Sequence, residues 1–121
     1  AVAMARAARE VAVGRIDPED PADDARLTAI PEIGPWTVAC LALRGRGEPD
    51  ALLAGDLAQV KLVGHRAGLG RLAAIEEVEA FYAPYAPYRG IAGELLAAES
   101  SAVINGPGNR ARIARGLPRA A

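Results

Sequence analysis

The apolar residues of this chain recur mainly three or four positions apart, the spacing that places them on one face of a helix. After residue 56, for example, Leu57, Val60, Leu62 and Val63 are expected to form a buried stripe. No segment alternates apolar and polar residues as a half-buried strand does, and no internal repeat is visible. The pattern predicts an all-α fold, with helices at about 3–13, 22–29, 35–44, 56–69, 74–82 and 87–99.

Residues that favour helix ends support these boundaries. Gly14 follows the first helix, and Asp20-Pro21 supplies a capping side chain and a first-turn proline for the second. Pro31 ends the second helix, and Gly34-Pro35 allows a tight hairpin followed at once by a new helix. Asp56 stands at the expected N-cap of the fourth helix.

Composition limits the chain to a few classes. Its 121 residues, 51% hydrophobic and 4% aromatic, suit one modest helical domain. No apolar run approaches the roughly twenty residues of a membrane span, and no secretory signal opens the chain, so we expect an intracellular protein. The single cysteine, Cys40, excludes an intramolecular disulfide and a four-cysteine zinc or iron–sulfur site built from this chain alone.

Charge is unevenly distributed along the chain. The formal net charge of -1 does not favour nucleic-acid binding, which normally calls for excess Lys and Arg. Residues 33–75, however, include five basic and three acidic side chains, and residues 100–121 include four Arg and no acid. The chain is thus locally basic in its middle, although unevenness on this scale also arises without function.

The turn between the second and third helices has a recognisable pattern. Residues 30–37, Ile-Pro-Glu-Ile-Gly-Pro-Trp-Thr, match hydrophobic-Pro-x-hydrophobic-Gly-x-x-Thr. This pattern is typical of a helix-hairpin-helix, here at about 22–44, which presents backbone N–H groups and a helix N-terminus to a DNA phosphate. A monovalent cation held by the carbonyls of Ile30 and Ile33 often assists such a contact. The alternative is an ordinary turn between two core helices.

Several further segments carry a family resemblance. The chain resembles the alkylation-repair DNA glycosylases of the helix-hairpin-helix superfamily, the 3-methyladenine DNA glycosylase II type, over roughly 3–97 and most specifically over 27–64. The matching segments are Trp36-Thr37, Ala42-Leu43-Arg44, Ala54-Gly55-Asp56 and Tyr85-Ala86-Pro87-Tyr88-Arg89.

The resemblance implies base excision repair. Such an enzyme flips an alkylated purine out of duplex DNA and hydrolyses its N-glycosidic bond, with Asp56 as the catalytic carboxylate. It implies Trp36, Cys40 and Tyr88 in the base pocket, and DNA contacts by Ile33, Gly34, Trp36, Thr37, Arg44 and Arg89. The alternative is that these residues have structural roles alone: Asp56 caps a helix, Trp36 and Tyr88 pack against other side chains, and Arg89 caps a helix end.

The same resemblance defines a subclass. Related glycosylases that also cleave the strand use a lysine nucleophile just after the hairpin glycine, where Trp36 stands here, so a Schiff-base step is not expected. The resemblance implies a monofunctional hydrolase without cofactor or catalytic metal, a monomer acting on damaged double-stranded DNA. A cytoplasmic, nucleoid-associated bacterial protein is expected, with no membrane partner.

Some positions depart from the family pattern and keep alternatives open. Glu32 replaces the usual first hairpin glycine, and Cys40 and Ala97 stand where members place aromatic residues. The family's leading portion is not present, so 1–99 is expected to be a partial glycosylase domain, and 100–121 a loosely ordered basic tail. The alternatives are a non-catalytic DNA-binding module, either a truncated or degenerate glycosylase or part of an adaptive-response regulator fusion, and an α-helical interaction domain without a DNA role.

Overall fold

The computed structural model describes residues 2–104, and every regular element among them is helical. The α-helices are α1 (Val2–Ala12), α2 (Asp24–Thr28), α3 (Pro35–Cys40), α4 (Leu57–Arg66), α5 (Ile75–Tyr82) and α6 (Arg89–Ile104). A 3-10 turn at Pro21–Asp23 precedes α2, another at Ala83–Tyr85 follows α5, and a π-helical segment, Leu41–Gly45, continues α3. The predicted all-α fold is confirmed for the described residues.

Local side chains account for several helix starts. Oδ1 of Asp20 accepts the N–H of Ala22 at 2.9 Å, as the sequence predicts for a capping residue. A carboxylate oxygen of Asp56 likewise accepts the N–H of Ala58 at 2.9 Å, so Asp56 is the N-cap of α4. At the other end of a helix, Gly14 follows α1 with a φ of 73°, the left-handed conformation that glycine adopts freely.

The larger apolar core lies between α4, α5 and α6. Leu62 and Val63 of α4 pack against Val78 and Tyr82 of α5, and the last three are essentially inaccessible to solvent. Each such aliphatic side chain contributes roughly 1.5–3 kcal/mol by leaving water. Gly64 brings the following loop close to α4, because a Cβ at that position would clash with the carbonyl oxygen of Arg71. This core fixes the helix that begins with Asp56.

A second, smaller core supports the hairpin. Ile16, Leu27 and Ile30 are buried together, and half-buried residues of α1 and of the α3 segment pack around them. Arg46, whose side chain is only 7% exposed, ties this part together through two hydrogen bonds of 2.9 Å to the carboxylate of Asp24. The two helices of the predicted helix-hairpin-helix are therefore joined at both the turn and their far ends.

The structure corrects some details of the prediction. Leu57 is 57% exposed rather than part of the buried stripe, because the inward face of α4 is formed by Gln59, Leu62 and Val63, and Leu57 points to another side. The last helix begins at Arg89 rather than at residue 87, since a turn closed by the N–H of Tyr88 on the carbonyl of Tyr85 precedes it.

The end of α6 also differs from the prediction. The helix continues to Ile104, past the predicted end at residue 99, so it takes in the first residues assigned to the tail. The remainder of that predicted tail, 105–121, lies outside the described residues.

Candidate functional site

The hairpin between α2 and α3 is closed by a short backbone bond. The N–H of Ile33 donates to the carbonyl of Ile30 at 3.1 Å, which makes a tight turn over residues 30–33. Glu32 in this turn has a φ of 73°, a conformation that favours glycine and costs other residues about 1 kcal/mol or more. Gly34 is extended, Pro35 begins α3, and the N-cap residue makes no side-chain hydrogen bond to the first N–H groups of this helix.

Asp56 lies beside the first turn of that helix. The indole Nε1–H of Trp36 donates to Oδ1 of Asp56 at 3.0 Å, while Oδ2 accepts the Ala58 N–H. Asp56 is half-buried and Trp36 is 49% exposed, so the pair stands at the surface. Both carboxylate oxygens have a donor, and this fixes the plane of the carboxylate.

Two further predicted site residues lie on the helix face that carries Trp36. Trp36, Cys40 and Arg44 are four residues apart and share one helix face. Arg44 Nη2 donates to both carboxylate oxygens of Glu94 on α6, at 2.9 and 3.1 Å. The pKa of Arg44 is raised, first by the hydrogen bond and charge of Glu94 and then, more weakly, by Cys40 and Asp56. Glu94 is therefore the direct partner of Arg44 and ties the end of this helical segment to α6.

Arg89 has an acidic partner as well. Its Nε and Nη2 donate to the two oxygens of Asp50 at 2.8 and 2.6 Å, and its backbone N–H donates to the same carboxylate at 3.1 Å. These hydrogen bonds lower the pKa of Asp50 to about 2. In the described structure Arg89 anchors the loop before α4 to the start of α6.

The predicted pocket residues are only partly brought together. Cys40 is half-buried on the helix face that also carries Trp36, and Thr37 is exposed at the start of α3. Tyr88 is 59% exposed, and no hydrogen bond or ring contact within residues 2–104 joins it to Trp36 or Asp56. The structure thus joins Trp36 to Asp56 by a hydrogen bond, while the roles assigned to Cys40, Arg44 and Tyr88 stay predictions.

Sequence reasoning missed one group behind Asp56. Gln59 is 2% exposed, accepts a hydrogen bond from the hydroxyl of Tyr82 at 2.7 Å, and donates to the carbonyl of Gly93 at 2.8 Å. Its sequence signal was a lone amide between apolar residues one turn after Asp56. Within 2–104, no three His, Cys, Asp or Glu side chains converge as a metal site requires. None of the helices in that range has the length and apolar character needed to cross a membrane.

Among curated proteins, the chain is similar to the probable bifunctional transcriptional activator/DNA repair enzyme AlkA of Mycobacterium tuberculosis, in strains CDC 1551/Oshkosh and ATCC 25618/H37Rv. Each is 46% identical over 44 residues, a segment that makes up 36% of this chain and 9% of the relative. The match therefore spans about a tenth of the relatives' length. No family model and no solved structure matches the chain. This partial identity supports an AlkA-like relationship over that segment.

Proposed function

We propose that this chain is part of a DNA glycosylase that removes alkylated purines of the 3-methyladenine type from duplex DNA, with Asp56 as its catalytic carboxylate. The observation that carries the proposal is the 3.0 Å hydrogen bond from Trp36 Nε1 to Asp56 Oδ1. It joins the hairpin helix to the acid across 20 positions of sequence. A residue that only caps a helix has no need of this second donor. The similarity to a probable bifunctional transcriptional activator/DNA repair enzyme supports the proposal.

The geometry of Asp56 suits electrostatic catalysis. One oxygen is held by the backbone of α4 and the other by the Trp36 indole, so the negative charge stays in one place. A charge that is already oriented does not have to reorganise during the reaction, which makes it more effective than the same charge in water. Asp56 is half-buried rather than enclosed, so solvent reaches this residue.

The proposed reaction is hydrolysis of the bond between C1′ of the deoxyribose and the purine nitrogen. An alkylated purine already carries positive charge, so it leaves as a neutral base with the bonding electron pair and needs little help from a general acid. The sugar becomes oxocarbenium-like, and the Asp56 carboxylate stabilises it and orients a water molecule. Water adds to C1′ and releases a proton, which yields a free base and an abasic site.

DNA would be held at the hairpin. The N–H groups at the start of α3 and the positive end of the helix dipole suit one phosphate, with contacts from Ile33, Gly34, Trp36 and Thr37. A monovalent cation on the carbonyls of Ile30 and Ile33 would complete this site, and binding without base readout fits a glycosylase that searches duplex DNA.

The two arginines predicted to contact DNA would exchange partners on binding. Arg44 and Arg89 are paired with Glu94 and Asp50, and Arg44 is 59% exposed at its side chain. The exposed Arg44–Glu94 pair contributes little to stability, so a phosphate can replace Glu94 at small cost, whereas Arg89 would have to give up the hydrogen bonds that hold Asp50. Of the two, Arg44 shares a helix face with Trp36, the partner of Asp56.

Base recognition would centre on Trp36. A flipped base needs an aromatic face to stack on, and about half of this side chain is open to solvent. Cys40 would lie under the base and Tyr88 would approach it from the α6 side. Since Trp36 occupies the place of the lysine found in strand-cleaving relatives, the phosphodiester backbone would remain intact. The protein would act as a monomer on the bacterial chromosome in the cytoplasm.

The proposal is tested with duplex DNA methylated by a labelled reagent. The 121-residue chain is expected to release labelled methylpurine, measured chromatographically, and to leave strands that break only after alkali treatment. Unmethylated duplex is the control and should yield no free base. Absence of release from methylated duplex, at protein concentrations that saturate the DNA, would contradict catalysis by this chain, and absence of release also from a protein that carries the family's leading portion would contradict the proposal.

A second candidate function is duplex binding without catalysis. The departures at Glu32, Cys40 and Ala97 favour it, because Cys40 and Ala97 leave the expected base pocket without the aromatic rings that an enzyme would stack on the base. Duplex binding with no base release would decide for this candidate. Absence of duplex binding at every salt concentration, low salt included, would instead indicate an interaction domain without a DNA role.

A further inference from the structure

Gln59 joins three helices inside the larger core. It is the one polar or charged residue that is buried among residues 2–104, with 2% of its surface exposed. The hydroxyl of Tyr82 on α5 donates to its Oε1 at 2.7 Å, and its Nε2 donates to the Gly93 carbonyl of α6 at 2.8 Å. Gly93 has no side chain, which lets α6 approach the amide closely.

Apolar packing alone does not explain this amide. A leucine at position 59 would fill similar space without the cost of removing a polar group from water. Hydrogen bonds differ from apolar contacts because they are directional, so a fully satisfied buried bridge specifies one arrangement of the helices it joins. Burial raises the pKa of Tyr82 to about 12, so its hydroxyl remains a donor at neutral pH.

The bridge lies directly behind Asp56. Gln59 is one helical turn after Asp56 on α4, and Gly93 precedes Glu94, the partner of Arg44. Side-chain hydrogen bonds therefore connect α4, α6 and the helix formed by α3 with its π-helical continuation. Trp36 bonds to Asp56 between α3 and α4, and Gln59 bonds to Gly93 between α4 and α6. Arg44 bonds to Glu94 between the π-helical continuation and α6.

We propose that Gln59, held by Tyr82, is a positioning residue that sets the rotation and depth of α4 so that the Asp56 carboxylate meets the Trp36 indole. The inference rests on the proposed role of Asp56, and neither Gln59 nor Tyr82 touches the DNA. A rotation of α4 that moves the carboxylate by about 1 Å would cost roughly a hundredfold in rate if the proposed chemistry holds.

The test uses the single tryptophan of the chain, which gives one indole N–H signal in a nitrogen–proton correlation spectrum. The Asp56→Ala variant gives the reference position of that signal when the indole N–H has no carboxylate acceptor. The informative variants are Tyr82→Phe and the double variant Gln59→Leu/Tyr82→Phe. The double variant removes the Gln59 amide and the Tyr82 hydroxyl together, so neither side chain is left unpaired, and only the Gly93 carbonyl loses its side-chain donor. Unfolding in urea then separates a loss of positioning from a loss of folding.

In both variants, the indole signal is expected to move toward its position in Asp56→Ala, further in the double variant. Val78→Ala is the matched control, because Val78 is fully buried on α5 one turn before Tyr82 but makes no polar bridge. It should lower the unfolding temperature and leave the indole signal in place. A wild-type indole signal in a folded Gln59→Leu/Tyr82→Phe protein would overturn the proposal.

Base release supplies a second readout. The rate constant at saturating DNA is expected to fall at least tenfold in the double variant, while the DNA concentration for half-saturation changes less than twofold. An unchanged rate constant would also overturn the positioning role. If the unaltered chain releases no base, the proposed function fails, and the indole signal still decides whether Gln59 positions Asp56.

Discussion

The indole N–H of Trp36 donates a hydrogen bond of 3.0 Å to Oδ1 of Asp56. The first residue lies in the opening turn of the hairpin helix α3, and the second caps α4. One bond thus links the part of the chain that resembles a phosphate-binding hairpin to the acid that resembles a catalytic carboxylate. Because the other oxygen of Asp56 is held by Ala58 N–H, the bond determines how the carboxylate faces solvent.

Replacing Trp36 by Phe tests the bond without removing the ring. The variant keeps an aromatic face for stacking but has no N–H donor, so Asp56 loses one of its two fixed contacts. A hydrogen bond to a charged group contributes roughly 1.5–3 kcal/mol, and at this half-exposed site we expect the lower part of that range, a fall of about tenfold in base release. Duplex affinity, measured by fluorescence anisotropy, should stay within about twofold. Unchanged release would mean that the bond is incidental.

Glu32 is expected to be a poor residue for its position. Glu32→Gly relieves the left-handed backbone and should raise the free energy of unfolding by about 0.5–1 kcal/mol, after allowance for the greater freedom of glycine in the unfolded chain. It also removes a carboxylate from the hairpin, so duplex binding should tighten at low salt.

Glu32→Gln separates the two effects of this substitution. It removes the charge and keeps the strained backbone, so binding should tighten while stability stays unchanged. Equal stability of the Gly and Gln variants in urea unfolding would contradict the backbone argument.

Arg46 is expected to stabilise the part of the fold that contains the hairpin and the smaller core. Its guanidinium is almost fully enclosed and donates to Asp24, to Glu48 and to the carbonyl of Pro18. Arg46→Met leaves these acceptors unpaired and should lower the free energy of unfolding by about 2–3 kcal/mol, as measured by urea unfolding. Arg15→Met is the control, since Arg15 is 69% exposed in its pair with Glu10 and its loss should cost less than about 1 kcal/mol. Equal losses in the two variants would contradict the assignment.

Acid should destabilise the fold through two carboxylates. Arg89 lowers the pKa of Asp50 from 3.8 to about 2, and Arg71 and the Ala74 N–H lower that of Glu77 from 4.5 to about 2. Between about pH 2 and pH 4.5 the unfolded chain binds more protons than the folded one. The stabilisation contributed by the two ionised carboxylates is therefore complete above about pH 4.5 and is lost as pH falls to about 2. The unfolding temperature should decrease over that interval. Asp50→Asn should flatten part of the decrease, and an unchanged slope would refute the assignment of Asp50.

Local signals in the sequence were sufficient for the helices and for some of their ends. The caps Asp20 and Asp56 act within their own turn, so adjacent residues determine them. The inclusion of Leu57 in the buried stripe was wrong, although Leu62 and Val63 are buried as predicted, because apolar spacing at the first turn of a helix does not say which side meets the core. That choice depended on α5 and α6, which lie elsewhere in the chain.

The partners of the site residues were beyond sequence reasoning. Arg44 and Arg89 look equally suited to phosphate, and nothing near them in sequence indicates Glu94, 50 positions away, or Asp50, 39 positions away. The bridge of Gln59 to Tyr82 and Gly93 is likewise set by how three helices meet. The hairpin was predictable because its chemistry is local, but the left-handed conformation at Glu32 was seen only in the structure.

The most direct test of the central claim is the single-turnover rate of 3-methyladenine release from methylated duplex by the unaltered chain and by Asp56→Asn. Asparagine retains a side-chain oxygen for the α4 cap but carries no negative charge, so the fold and duplex affinity should be preserved. We expect release to fall at least a hundredfold, because the oxocarbenium-like sugar loses its stabilising charge. Release by Asp56→Asn at the rate of the unaltered chain would contradict the account.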